Sequence, residues 1–480
     1  MRPLNQTKRD RFYWLSEINK ASLVINTRAG LLEKSLATKI AKALSEVIED
    51  ASQPDADRPI LVIKFEPKLI EAGGIEVTKL HIGRSSQDMH GTYMATTLRD
   101  GLLDISEALD EVWASLLDLV RKNRDAYVTN YTNGVPAQPN SYAHYLLGFA
   151  SAFERDALRL RESYRRIDRS PMGTTVLNGT CWPLSRQPMA EYLGFGGLAE
   201  NAFDAVQISS VENPVDLASA ITEIELHIGM FVQDVMTQYA QPQPWILLQE
   251  GGDNTYVSSA MPQKRNPGIL NNVRRDASTT LSLAMGTVLR THNTPTGMVD
   301  GRNVDENMAL VASCVKTLRN FDKILHALIV NKARALEALN SDWTASQEVA
   351  DRLMKNYGLP FRVGHHFASN MVSLAKKNGF TPLAFPYAEA CRIYAETTAK
   401  EAPGTDTTFP MSETEFRAAL DPISIVENRQ TYGGPQSSEV ERMLNASTEA
   451  LAQHQRWTQE KLQTIESALS KLDSDFAALL

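Results

Sequence analysis

Cysteine is scarce: Cys181, Cys314 and Cys391 are the only three in 480 residues. They are odd in number, widely spaced and free of any Cys-x-x-Cys arrangement, which argues against a disulfide framework. The thiols read as core fillers in a reducing cytoplasm, where the chain is expected to reside. Long apolar runs are missing too, so no transmembrane helix is expected and no membrane partner. The first seventeen residues mix Arg2, Lys8, Arg9 and Arg11 with polar side chains. They have no apolar centre, so no secretory signal is expected. Positive charge is not in excess: 49 Lys and Arg stand against 57 Asp and Glu, a net charge of -8. That disfavours a general nucleic-acid binder, while leaving room for a locally positive pocket that takes a small anion. No His and Cys cluster has metal-ligand spacing, and neither a metal nor a cofactor is expected. There is no internal repeat, low-complexity tract or extended linker.

What is present is an ordinary globular composition, 43% hydrophobic and 22% charged, in a chain too long for one compact core. An all-α, three-domain architecture is expected. Residues 1–87 read as a small helical domain, with Leu23, Ile25, Leu31, Leu32, Leu36, Ile40 and Leu44 at helical spacing and Gly30 at a boundary. Residues 88–343 carry three long apolar stripes. The first is Leu102, Ile105, Leu109, Val112, Leu116 and Leu119; the second is Leu217, Ile221, Ile224, Ile228, Phe231 and Val235. Met308, Val311, Val315, Leu318, Leu325 and Leu328 form the third. Each stripe predicts a helix of about 30 Å that buries one face in a bundle. Residues 344–480 are expected to form a third helical domain.

One stretch departs from this helical pattern. Ser258-Ser259-Ala260-Met261-Pro262-Gln263-Lys264-Arg265-Asn266-Pro267 follows the run Gly251-Gly252-Asp253-Asn254. Its two prolines and the upstream glycines keep it out of helix or strand. Two hydroxyls, an ammonium and a carboxamide therefore sit on a mobile loop, taken as residues 249–268. Upstream lie the octet His81-Ile82-Gly83-Arg84-Ser85-Ser86-Gln87-Asp88 and the segment Asn130-Tyr131-Thr132-Asn133-Gly134-Val135-Pro136-Ala137-Gln138-Pro139.

These segments resemble, in order, the conserved regions of the fumarase, aspartase and argininosuccinate lyase superfamily. The loop fills the pattern Gly-Ser-Ser-x-Met-Pro-x-Lys-x-Asn, with Val257 in place of the glycine. The octet is similar to the argininosuccinate lyase segment His-Thr-Gly-Arg-Ser-Arg-Asn-Asp, and the 130–139 segment to Gly-Tyr-Thr-His-Leu-Gln-Pro-Ala-Gln-Pro. Gly358 to His365 and Tyr432-Gly433-Gly434-Pro435 resemble later segments of the same enzyme, so the likeness spans nearly the whole chain.

The resemblance implies elimination across the two carbons of a succinyl group through an aci-carboxylate, with fumarate as product. That dianionic intermediate needs preorganised positive charge and donors in a site closed to water. By resemblance Ser258 is the base, Lys264 balances the charge, and Asn266 and Ser259 donate hydrogen bonds. Thr132 holds the other carboxylate, with Ser85, Ser86, Gln87 and Asn133 beside it. The resemblance also implies a homotetramer whose composite sites draw on three subunits.

Departures bear on the substrate. Asn133 and Asn271 stand where argininosuccinate lyase pairs a His with a Glu, so both members of a charge-coupled pair have become neutral. Asn26 replaces an Asp that faces the guanidinium, and Ser209 falls near a lost Arg. The 296–302 segment replaces the residues that grip the distal amino acid, so His292, Asp300 and Arg302 are candidates to read a different amine. The sequence therefore points to an argininosuccinate lyase-like carbon–nitrogen lyase. Argininosuccinate lyase proper, an adenylosuccinate-type lyase and a non-catalytic scaffold of the crystallin kind remain open.

Overall fold

The computed structural model describes residues 9–53, 55–298 and 303–480. The chain opens with three helices, α1 (Arg11–Arg28), α2 (Lys34–Asp50) and α3 (Val62–Gly73). Gly30 adopts a left-handed φ of 70° in the turn between the first two, a conformation that glycine takes without steric cost. The helix α4 (Ser86–Lys122) follows, then the strands β1 (Tyr127–Thr132) and β2 (Val135–Ser141) and the helix α5 (Tyr142–Ile167). Two short helices, α6 (Gln187–Tyr192) and α7 (Ala202–Gln207), lead into α8 (Ser209–Tyr239). After α8 come the strands β3 (Ile246–Leu248), β4 (Tyr256–Val257) and β5 (Arg265–Asn266). The helices α9 (Gly268–Thr291) and α10 (Val304–Ala327) and the strand β6 (Leu328–Val330) complete the bundle region. The remainder is α11 (Lys332–Asn340), α12 (Ser346–Tyr357), α13 (Phe361–Asn378), α14 (Tyr387–Glu401), α15 (Glu413–Leu420), α16 (Pro422–Glu427) and α17 (Ser437–Ala477).

The apolar stripes are the bundle seams. Every member of the first two is buried, on α4 and α8, each side chain contributing about 1.5–3 kcal/mol of transfer free energy. The helices are longer than the expected 30 Å: 37 residues in α4 and 31 in α8 span about 55 and 46 Å at 1.5 Å per residue. The third stripe ends differently. Leu328 leaves the helix for β6, where the 328–330 backbone pairs antiparallel with 248–246 of β3.

The helices α4, α5, α8, α9 and α10 pack together, and α1 joins the same continuous core. Residues 345–425 form a second core of their own, centred on Phe367, Phe385, Phe409 and Phe416. The last helix does not belong to it. The 41-residue α17 returns to the bundle, packs against α4, α5 and α1, and buries Leu444, Leu462, Ile465 and Leu472 in the bundle core, so the expected 344–480 unit separates at about residue 436.

Candidate active site

The 249–268 loop is anchored at its base and open at its tip. Tyr256 and Val257 pair with Asn266 and Arg265, a two-rung ladder where the sequence predicted no strand. The ladder forms because Asn266 Nδ2 donates to the Tyr256 carbonyl (3.2 Å) and the Tyr239 hydroxyl donates to the Arg265 carbonyl (2.9 Å). Arg265 is further held by Glu250 at 2.8 Å. Beyond the ladder the chain turns tightly. The Ser258 N–H donates to the Lys264 carbonyl (3.2 Å), and the Lys264 N–H to the Met261 carbonyl (3.0 Å). Inside this turn Ser258 Oγ accepts from the N–H groups of Met261 (3.2 Å) and Ala260 (3.4 Å). A hydroxyl oxygen facing two backbone donors is positioned to bear negative charge. Ser259 and Lys264 are exposed at the tip, and among the described residues no carboxylate pairs with the Lys264 ammonium.

Thr132 and Asn133 lie on a hairpin. Thr132 is opposite Val135, and Asn133 (φ 52°) and Gly134 (φ 75°) make the two-residue turn. Both residues accept left-handed φ, which is the chemistry that a tight two-residue hairpin demands. Thr132 and Asn133 are both exposed. The hairpin leads straight into α5, where His144 Nε2 lies 2.9 Å from the Gly433 carbonyl, so the 130–139 and 432–435 segments meet.

Ser85, Ser86 and Gln87 occupy the other end of α4. Ser85 is its N-cap: the hydroxyl accepts from Gln87 N–H (3.3 Å), and Asp88 returns a carboxylate oxygen to Ser85 N–H (2.7 Å). Asp88 was not among the expected site residues, although its spacing from Ser85 is a capping-box signal. Its second oxygen accepts from Gly173 and Thr175, both at 3.1 Å, tying the 170–180 loop to the helix start. Burial still pushes its carboxyl up, against the three N–H donors and Arg84. Arg84 is itself buried, donates to Ser22 Oγ (3.0 Å), and is lowered to about 10 by desolvation, with Asp88 and Glu66 opposing. Asn26, at the position expected to face a guanidinium, is buried within α1.

The bundle separates these groups. Gly101 of α4 lies against Met308 and Val311 of α10, and farther along Lys332 Nζ donates to the Lys122 carbonyl (3.0 Å), so α4 and α10 run in the same direction. Tyr142 meets Trp245 edge to face, and Gln249 N–H donates to Ala327 (2.8 Å). The Thr132 hairpin and the Ser258 loop thus share one end of the bundle. Ser85, Ser86 and Gln87 lie at the opposite end, about 55 Å away along α4. His292 belongs with them: it caps α9, and the segment after it brings Gly297 beside Gln207, which donates to Val176 of the 170–180 loop. Arg302 and Asp300 lie outside the described residues.

A lyase family model matches residues 3–280, more than half of the chain, and a model described as the argininosuccinate lyase C-terminal region matches 343–427. The chain is 27% identical to an argininosuccinate lyase of Methanocaldococcus jannaschii over 461 residues, covering 93% of this chain and 90% of that one. It is 29% identical to an argininosuccinate lyase of a Geobacillus species over 429 residues, covering 87% and 88%. Among solved structures, EDDS lyase in complex with formate superposes with a TM-score of 0.88 at 22% identity, covering 98% of this chain and 92% of that one. A class II fumarase of Schistosoma mansoni superposes with a TM-score of 0.67 at 15% identity, covering 86% and 90%. The matches run through both cores and all three candidate segments, and the chain belongs to the lyase family as an argininosuccinate lyase-like member of the fumarase/aspartase superfamily.

Proposed function

We propose that this chain is a carbon–nitrogen lyase that eliminates an amine or amino acid from an N-substituted aspartate and releases fumarate. Excess fumarate and amine would drive the same chemistry as addition. The observation that carries this reading is Ser258 Oγ, set against two backbone N–H donors in a turn closed by Lys264. In the proposed step an ionised Ser258 takes the proton from the carbon beside one carboxylate. The electron pair moves into that carboxylate as the aci form, which Lys264, Ser259 and the free amide hydrogen of Asn266 stabilise. Collapse of the aci-carboxylate forms the double bond, the C–N bond breaks, and the nitrogen leaves with the bonding pair and gains a proton. Thr132, with Ser85, Ser86 and Gln87 from other subunits, would hold the second carboxylate.

Groups at opposite ends of α4, a helix about 55 Å long, need further copies to form one site, and a homotetramer in the cytoplasm is the assembly we propose. Apolar side chains left in the open on the bundle helices support it: Met230 on α8 (53% exposed) and Leu289 on α9 (68% exposed). The likeness to argininosuccinate lyases favours argininosuccinate itself as a second reading. The buried Asn26 and the neutral Asn133 and Asn271 speak for a different amine.

Fumarate absorbs in the ultraviolet, so incubation with a panel of amines reports addition directly. The expected result is loss of absorbance with at least one amine, and a fall of about 10²–10⁴-fold on Ser258→Ala with assembly unchanged. A Ser258→Ala protein with undiminished turnover would remove the serine from this role. A chain silent towards every amine and every N-(1,2-dicarboxyethyl) amino acid would be a scaffold.

A further inference from the structure

Asparagine followed by glycine occurs three times in the chain, at 133–134, 178–179 and 378–379. The pair is open to one covalent reaction. Glycine has no side chain to shield its backbone nitrogen, and that nitrogen can close a ring on the carboxamide carbon of the residue before it. The nucleophile is the glycine N–H, so a hydrogen bond that occupies it slows the reaction. All three asparagines are exposed, and exposure does not separate them.

Their hydrogen bonds do. Gly179 N–H donates to the Thr174 carbonyl (2.8 Å). Gly379 N–H closes the end of α13 on the Ala375 carbonyl, and the Asn378 carboxamide donates to the Leu374 carbonyl (2.9 Å). Gly134 differs. It is the second residue of the turn between β1 and β2, flanked by the paired Thr132 and Val135, and a two-residue turn of this kind offers its N–H no acceptor. Among the described residues neither that N–H nor the Asn133 carboxamide has a hydrogen-bond partner. Tyr131 to Pro136 are exposed, and the register slips between Asn130 and Tyr131, so little besides the Thr132–Val135 pair resists the rotation that ring closure requires.

We propose that Asn133 is a site of spontaneous deamidation and that the reaction disables the site this hairpin serves. The Gly134 nitrogen gives its proton to water and forms a bond to Asn133 Cγ; the Cγ–Nδ2 bond breaks, Nδ2 leaves as ammonia, and a succinimide remains. Water then opens either carbonyl of the ring and leaves aspartate or isoaspartate, with no oxidant or cofactor consumed. Either product puts a carboxylate beside Thr132, where the lyase reading above seats a carboxylate of the substrate, and like charges at close range oppose each other. Isoaspartate also adds a carbon to the main chain of the turn, which shifts Thr132 against Val135. The effect on turnover rests on that lyase reading; the modification does not.

The test ages the assembled wild-type chain and Asn133→Gln at mildly alkaline pH. Peptide mass spectrometry follows conversion of amide to acid at Asn133, Asn178 and Asn378, and fumarate chemistry is assayed against each protein's own starting activity. The expected result is that Asn133 converts first and that wild-type activity falls in proportion to the converted fraction. Asn133→Gln, whose longer side chain closes a larger ring slowly, keeps its starting activity over the same period. Asn133→Asp, which carries one product from the outset, should raise the KM for fumarate by about tenfold with a smaller effect on kcat. Conversion of Asn133 no faster than that of Asn178 and Asn378 would overturn the modification site. Full activity in the converted protein, or a wild-type KM in Asn133→Asp, would overturn its effect on turnover. A chain with no fumarate chemistry at all would sink the lyase reading alone, since conversion of Asn133 is read by mass.

Discussion

Ser258 stands out in the sequence because its loop resembles the family pattern Gly-Ser-Ser-x-Met-Pro-x-Lys-x-Asn, and the two backbone N–H groups facing its oxygen support the role we propose for it. Ser85 was less legible: a serine that starts a helix and a serine that meets a ligand look alike in sequence, and here the hydroxyl oxygen caps α4. Asn266 likewise has one amide hydrogen committed to the loop ladder, where it donates to the Tyr256 carbonyl. Glu225 was not legible at all. It lies within the second apolar stripe, 1% exposed, with Thr280, Thr317 and Cys314 as its polar neighbours. Burial raises its carboxyl from 4.5 to about 8, and those three groups only partly offset it. The folded chain then holds a proton that the unfolded chain releases near pH 4.5, so this residue makes stability fall as pH rises from 4.5 through 8. Glu225→Gln should flatten that dependence and raise stability above pH 8 by up to a few kcal/mol, measured by denaturant unfolding at several pH values. An unchanged slope would contradict a buried neutral carboxyl.

Among the elements, the long helices were read correctly because a 3.6-residue apolar period is a strong local signal. Their full lengths were not, since α4 gains turns at both ends from contacts distant in sequence. Asp88 is the clearest case: it caps α4 and also accepts from Gly173 and Thr175. Asp88→Ala leaves three backbone donors without their carboxylate, at a cost of about 1–3 kcal/mol. A lower melting temperature together with a raised KM, from a loosened Ser85 to Gln87 segment, is the expected outcome; a raised KM with unchanged melting would mean that Asp88 touches substrate instead. The ladder at the loop base was missed for a related reason. Two residues per strand carry no period, and the pairing depends on Tyr239 from α8.

At the scale of the whole molecule, the order of segments along the chain concealed how they pack. Residues 344–480 looked like one domain because they are contiguous. Yet α17 buries Leu444, Ile465 and Leu472 in the bundle core, while 345–425 close around their own aromatic cluster. Exposed Met285, Leu289 and Met230 are expected to face other copies, so Leu289→Asp should shift the assembly towards smaller species in analytical ultracentrifugation and depress turnover with it. Smaller species that keep full activity would show that one chain suffices.

The composite site can be tested by mixing. Subunits carrying Ser258→Ala lack the proposed base, and subunits carrying Ser86→Ala/Gln87→Ala lack the proposed donors at the far end of α4; each parent alone should be inactive or nearly so. Random assembly of equal amounts places both wild-type segments together in about a quarter of the sites, so about a quarter of wild-type fumarate formation should return. A mixture no more active than the mean of its parents would contradict sites shared between chains.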